Sequence, residues 1–226
     1  QAMQTLISGS RPASALAAAA AVVQPIGPGR TALAGARDYF KIEDTKVLVN
    51  LQPASVLFSA NSEEFAAENN QYRQDSVNGD TSYFPSGKIG IGLDTEKMQY
   101  DITVGGGYLY NNAVTGPVLL GDVSVRLKMG DVITLGPHVG PLYISSPTWK
   151  GDSDISLSGS VGVLAGLMIT VGNVSGPWSV VLSADYVQCK LDAEDGAEWK
   201  AKSDSFDLSG YAVQLGFMYR WDKDGI

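Results

Sequence analysis

From about residue 45 to residue 221 this chain alternates apolar and polar side chains with a period of two, and few folds accommodate that pattern. Successive side chains of a β-strand point to opposite faces, so sustained alternation marks a strand with two unlike faces. In the stretch from Met98 to Tyr110, one parity holds Met98, Tyr100, Ile102, Val104, Gly106, Tyr108 and Tyr110, and the other Gln99, Asp101, Thr103, Gly105, Gly107 and Leu109. The same split recurs at Ile89–Leu93, Leu119–Met129, Ile133–Pro141, Leu157–Val171, Trp178–Tyr186 and Tyr211–Trp221, and no charged residue stands on any of these apolar faces.

Alternation alone also suits a soluble antiparallel sheet with one buried face. Three features point elsewhere. The stretches are long, close to the roughly ten residues that a tilted strand needs to cross a bilayer. The second face carries Gly, Ser and Thr with a few charges of both signs: Lys88, Arg126, Lys128 and Arg220 against Asp101, Asp122 and Asp185, with His138 on the same parity. Small residues and compensating charges are what fill the interior of a narrow barrel, so these eight residues are expected to form a polar network in the lumen. Finally, the aromatics fall at strand ends. If the first strand runs upward, Tyr108, Tyr110, Tyr143, Tyr186 and Tyr211 form an upper belt, and Tyr100, Trp178, Tyr219 and Trp221 a lower one. Amphipathic rings prefer the level of lipid headgroups.

The expected fold is therefore all-β: an eight-stranded antiparallel up-and-down transmembrane β-barrel with an N-terminal extension. Upper loops are expected at 61–83, 111–117, 145–155 and 191–206, and lower turns at 95–97, 130–131 and 173–177. Pro53 interrupts the first strand and predicts a bulge or edge defect there. A soluble barrel of lipocalin type is the alternative, with the apolar face turned inward and the charges outward.

Residues 1–44 read differently. Ala13 to Val23 is a run of Ala, Val, Leu and Ser, ended by Pro25, Gly27, Pro28 and Gly29. It suits a short helix or arm, a plug, or the apolar core of a leader; a start at Gln1 fits a chain that has lost a signal peptide. Residues 45–221 form the expected barrel and 222–226 a short tail. With 16 Lys+Arg against 24 Asp+Glu, the net charge of −8 argues against nucleic acid. The single His and single Cys argue against a zinc site or a disulfide framework, and no cofactor or metal is expected.

On the last strand Gln214, Gly216, Tyr219 and Trp221 fit the polar–x–Gly–x–x–aromatic–x–aromatic signal of the closing strand in bacterial outer-membrane barrels. The chain from 45 to 221 resembles the small eight-stranded members of that group, of the OmpA transmembrane domain, OmpX and OmpW type; it departs from them by continuing from Asp222 to Ile226. The resemblance implies handling by the barrel-assembly machinery, an outer-membrane location, and contact with outer-membrane lipid and lipopolysaccharide.

Chemistry is sparse. His138 points inward by parity, whereas a lipid-modifying barrel enzyme would need a His–Ser pair at a lipid-facing mouth. Ser158, Ser160, Ser179 and Ser183 are candidate interior neighbours, and Cys189 is a lone rim thiol. The acids in the upper loops (Glu63, Glu64, Glu68, Asp75 and Asp80; Asp152 and Asp154; Asp192, Glu194, Asp195, Glu198, Asp204 and Asp207) read as a solvated rim without calcium-loop spacing. The expected role is a non-enzymatic structural or anchoring barrel that engages a protein partner through residues 1–40 or its loops. A narrow channel or hydrophobic small-molecule carrier is the alternative, and a lipid A-modifying enzyme a further one.

Overall fold

Alternation, β-branched residues and tight turns dictate antiparallel pairing between neighbours in sequence, and the computed structural model has that arrangement. It describes residues 39–59, 81–150, 155–195 and 205–222; the Ala-rich extension to residue 38, most of the loop 61–83 and the tail from 223 lie outside the described residues.

The strands are β1 (Ile42–Ser59), β2 (Thr81–Tyr83), β3 (Ser86–Thr95), β4 (Met98–Asn111), β5 (Val114–Met129), β6 (Ile133–Ile144), β7 (Thr148–Trp149), β8 (Ile155–Leu157), β9 (Ser160–Val171), β10 (Trp178–Gln188), β11 (Lys190–Asp195), β12 (Ser205–Asp207) and β13 (Gly210–Asp222). Eight of them close a ring: β1, β3, β4, β5, β6, β9, β10 and β13 pair in turn, and β13 returns to β1. All these pairings are antiparallel. The first strand starts at Ile42 and the last ends at Asp222, each slightly outside the expected 45–221.

The Pro53 irregularity is a one-residue bulge: Leu51 pairs with Phe217, but the next registered pair is Ala54 with Leu215. The extra residue inverts the parity of β1, so Leu48, Asn50 and Gln52 are buried below it and Ser55, Leu57 and Ser59 above. The break between β2 and β3 falls beside it, since Gln52 pairs with Ser86 and Val56 with Tyr83. A strand that loses one N–H to proline thus bends where its neighbour is also interrupted.

Two expected loops are corrected. The span 111–117 is not a loop: β4 ends at Asn111 and β5 begins at Val114, leaving Asn112 and Ala113 as the connection. Pro117 stays within β5 because its carbonyl still accepts from Ser145 N at 3.0 Å. The span 191–206 is partly strand, since β11 pairs with β12 through Leu191 and Phe206 and with β8 through Ala193 and Leu157. The alternation continues into this acidic stretch, with Leu191, Phe206 and Leu208 on the buried face. Acidic composition masked it.

The faces decide between the two barrel readings. Ile89, Ile91, Ile102, Val104, Leu119, Val163, Leu167, Leu182, Val213, Leu215 and Phe217 are exposed on the outside, whereas Lys88, Asp101, Asp122, Arg126, His138, Asp185 and Arg220 are buried inside. That is the inverse of a soluble barrel. The aromatic belts meet across strands. Tyr186 sits beside Tyr211 with ring centroids 5.5 Å apart, and Trp178 beside Tyr219 at 4.5 Å; Tyr108–Tyr110 and Tyr219–Trp221 are 4.7 and 5.4 Å apart along single strands. Tyr143 is partly exposed in the same upper row, and Tyr100 at the lower end donates its hydroxyl to Tyr39 O at 2.8 Å.

Two glycines test the wall. Gly130 turns β5 into β6 at φ 72° with open space around it, so Gly130→Ala should cost about 1 kcal/mol, the strain of a left-handed residue. A Cβ on Gly216 would fall 2.0 Å from Leu51 O, at the seam that closes the barrel beside the bulge. Gly216→Ala should therefore cost about 3 kcal/mol or more. Urea unfolding of both variants in detergent micelles, followed by tryptophan fluorescence, would separate them; equal midpoints would contradict this account.

Candidate functional site

The lumen is the one concave region that the topology builds from all eight staves, and it divides into two layers. Most lower residues of the inward parity are charged or polar, with a small apolar cluster of Met168, Val181 and Met218 among them; most upper ones are aliphatic or aromatic.

The lower layer contains two linked clusters. Arg126 lies against Asp101 in a close ion pair, and Arg220 Nη2 reaches Asp101 Oδ1 at 3.0 Å and Asp94 Oδ1 at 3.1 Å. In the second cluster, Lys88 faces Asp122 at 3.6 Å and His138 Nδ1 meets Asp122 Oδ1 at 2.9 Å. His138 Nε2 lies 2.5 Å from Asp185 Oδ1, a close ionic contact without good hydrogen-bond alignment. Ser183 Oγ and Gln214 Nε2 both donate to Asp185 Oδ2 at 2.8 Å. Because both ring nitrogens face carboxylates, His138 serves both only as imidazolium. Four cations (Lys88, Arg126, His138 and Arg220) then match four carboxylates (Asp94, Asp101, Asp122 and Asp185). Removing charges from water is expensive unless each finds a partner, and neutrality with short contacts meets that requirement.

Seven of the eight residues expected in the lumen meet here. Lys128 stands apart near the lower end, its Nζ donating to Thr95 O at 2.6 Å. Sequence reasoning left out Asp94, although it shares the parity of Lys88, because it lies next to a turn where strand ends are hard to place. Gln214 and Gly216, read as part of an assembly signal, have local duties as well: Gln214 holds Asp185, and Gly216 lets β1 approach.

The inward glycines do not leave a passage. A Cβ on Gly92 would lie 2.3 Å from Arg220 Nη2, and one on Gly166 would lie 2.2 Å from Asp185 Oδ1. They are small because charged side chains of nearby staves occupy their space. Gln52, Thr103, Ser124 and Asn50 Oδ1 bring further buried polar atoms that have no protein partner among the described residues, a pattern ordinarily served by water.

The upper layer is apolar and was not expected. Leu57, Phe84, Leu109, Val118, Leu120, Leu142, Ile144, Leu164, Val187 and Leu208 fill the lumen, and Trp149 packs edge-on against Phe206 above them at 5.9 Å. Only a cavity of about 20 Å³ remains among them. The signal was present in Leu109, Leu120, Leu142 and Leu164, apolar residues on the otherwise polar parity. Cys189 belongs to this layer; burial pushes its thiol up to about 11, so it packs as a neutral apolar group.

Of the four candidate serines, only Ser183 reaches the histidine's surroundings, through Asp185. Ser158 Oγ donates instead to Asp192 O at 3.2 Å. Among the described residues no three His, Cys, Asp or Glu side chains are arranged to hold a metal ion. The rim acids at 63–80, 152, 154, 198 and 204 lie outside the described residues; Asp207 is paired with Lys190 at 3.3 Å.

No protein-family model matches this chain, and no curated protein matches it in sequence. Among solved structures it is similar to the outer membrane protein OprG from Pseudomonas aeruginosa, at 9% identity and a TM-score of 0.43, over 80% of this chain and 97% of that one. It is also similar to the translocator domain of the autotransporter NalP from Neisseria meningitidis, at 15% identity and a TM-score of 0.42, over 83% and 68% of the two chains. At these identities no residue role passes from either protein to this chain.

His138→Ala should destabilise the barrel by about 3–5 kcal/mol, because it leaves Asp122 and Asp185 buried with too few partners. Adding Asp185→Asn to His138→Ala should recover part of that loss. A double-mutant cycle on urea midpoints checks this; additive losses would mean the contacts are not coupled.

Proposed function

We propose that this chain is a bacterial outer-membrane β-barrel with a closed lumen, a structural or anchoring component of the envelope that works through its outer wall and upper rim. The observation that carries this reading is the filling of the lumen from both sides: a neutral ion network below and a packed apolar layer above, with a cavity of about 20 Å³ within the apolar layer. A barrel packed in this way is not an open pore.

Membrane placement rests on the outer wall. Exposed aliphatic side chains run around the staves, far beyond the few hundred Å² of contiguous apolar surface usual on a soluble monomer. Tyr211 and Tyr219 mark the upper and lower belts on one strand. Eight residues at ~3.4 Å each, tilted about 40°, set them roughly 20 Å apart, close to the apolar band of an outer-membrane barrel. Biogenesis would pass through the barrel-assembly machinery, with Gln214, Gly216, Tyr219 and Trp221 as the recognised residues. Protein partners would engage the upper loops or residues 1–40. We read the chain as non-enzymatic, because both nitrogens of its only histidine are engaged by carboxylates in the lumen and neither faces lipid.

One observation favours a second reading, carriage of a hydrophobic small molecule. Between β5 and β6 the paired positions skip from Leu120–Leu142 to Val123–Val139 with the register unchanged, and Gly121 faces Pro141 there. An outer groove lies over this gap, and two residues of its floor, Leu120 and Leu142, also line the inner cavity.

The purified chain should need detergent, show a heat-modifiable band on SDS gels, and give no unitary conductance in planar bilayers at neutral pH. Steady open-channel currents from the folded form would rule out the closed-lumen reading. Gly121→Leu, which fills the outer groove, should leave the folded band intact. A severalfold drop in cellular uptake of a long-chain hydrocarbon with that variant would favour the carrier reading over the structural one.

A further inference from the structure

We propose that β5–β6 is a weak seam in the wall, held shut from inside by an ionic clasp between Asp122 on β5 and His138 on β6. When that pair is lost, the ring parts there first.

The weakness is written into β6, which reads Gly136-Pro137-His138-Val139-Gly140-Pro141. Proline has no N–H to give a ladder, so it belongs at sheet edges and bulges. Here two prolines stand in the middle of a stave that is paired on both sides. Backbone groups of successive residues face opposite neighbours. Ser145 N donates to Pro117 O, so the odd residues of β5 and β6 face each other, and both prolines of β6 are odd. The loss therefore falls on one side. Toward β5 the paired positions are Leu120–Leu142, then Val123–Val139 and Ser124–His138, then Leu127–Leu135, and the positions around each proline are skipped. Toward β9 the same stave pairs at every position from Ile133 to Ile144. The β3–β4, β4–β5, β9–β10 and β10–β13 seams are also unbroken.

The prolines leave Gly121 O and Val125 O without the N–H that would face them. In an apolar surround a carbonyl without a donor is costly. The glycine before each proline lessens that cost. A Cβ on Gly140 would fall 1.8 Å from Gly121 O, and one on Gly136 1.9 Å from Val125 O. Each carbonyl thus comes in against a glycine Cα–H, a weaker donor than the missing N–H.

The clasp sits between the prolines. His138 turns inward, and its Nδ1 meets Asp122 Oδ1 across the seam at 2.9 Å. Asp122 occupies one of the skipped positions. Each partner is braced from beyond the seam: Lys88 of β3 faces Asp122 at 3.6 Å, and Asp185 of β10 faces His138 at 2.5 Å. All four side chains are buried. Two staves that share too few backbone hydrogen bonds are thus joined by a desolvated ion pair, where a charge contact is strongest. Leu120 and Leu142, the pair directly above the upper gap, border both the outer groove and the inner cavity. Parting at this seam would join the two, and only that consequence rests on the carrier reading; the clasp itself does not.

The test is residue-resolved amide exchange by NMR on the full chain in micelles, with the heat-modifiable band as the check of folding. Val123 and Val139 face each other across the seam between the two gaps, and Ile91 and Ile102, paired across the unbroken β3–β4 seam, are the reference. In the wild type Val123 and Val139 should exchange roughly tenfold faster than the reference or more, as a locally opening unit does. Pro141→Val, which returns an N–H to Gly121 O, should slow them severalfold and leave the reference unchanged. His138→Gln should speed them by a further factor of roughly ten while the reference moves far less, and adding Pro141→Val should reverse most of that change. Equal protection of the two seams in the wild type, no slowing by Pro141→Val, or a His138→Gln that speeds both seams alike overturns the proposal while the closed-lumen reading stands. If His138→Gln gives no folded band, the wild type and Pro141→Val decide by themselves.

Discussion

The closure of the hydrogen-bonded ring governs everything else in this molecule. In an apolar surround, each backbone N–H and C=O must find a partner within the protein, and a sheet that returns to its first strand leaves no edge. The β1–β13 seam completes that circuit, and it runs through the Pro53 bulge, where β1 changes parity. Gly216 is small because a Cβ there would run into Leu51 O of β1. Once the ring is closed, the outward parity must suit its surroundings and the inward parity must fill a narrow tube.

Filling the tube is a problem of charge and of shape. Eight staves leave a narrow interior that small side chains alone do not fill. The lower layer solves this with long charged residues whose ends meet near the axis, and with glycines opposite them that make room. Each ion has a partner, so the desolvation of one is offset by contact with the next. The upper layer uses aliphatic packing instead, continuous with a small sheet of β8, β11 and β12 that extends the wall. The two layers fill the lumen among the described residues, which turns attention to the outer wall and rim. In the wall the ion network has a second duty, because Asp122 and His138 join two staves that prolines leave short of backbone hydrogen bonds.

The alternation made the staves legible because the period of a strand is two and each stretch has a consistent apolar parity. Lys88, Asp101, Asp122, Arg126, His138, Asp185 and Arg220 could be placed inside for the same reason. What parity could not supply was their pairing: that His138 stands between Asp122 and Asp185, or that Arg220 bridges Asp94 and Asp101, depends on the stagger of neighbouring staves and on the closure that brings β13 beside β1 and β3. The apolar upper layer escaped notice because Leu109, Leu120, Leu142 and Leu164 look like isolated exceptions along separate strands. They become a layer only when the ring brings them to one height. The β11–β12 extension was hidden for a different reason: its acidic residues suggested a loop, while Leu191 and Phe206 carried the pairing.

By itself, then, the sequence determined the fold class, the two faces of nearly every stave and the heights of the aromatic belts, since each follows from local periodicity. Tertiary structure alone decided which charges neutralise one another, that the lumen is sealed by two unlike layers, and that Asp122 and His138 meet across the seam where Pro137 and Pro141 interrupt the pairing. Those facts depend on the stagger of closed strands, and stagger is a property of the whole ring that no single stretch contains.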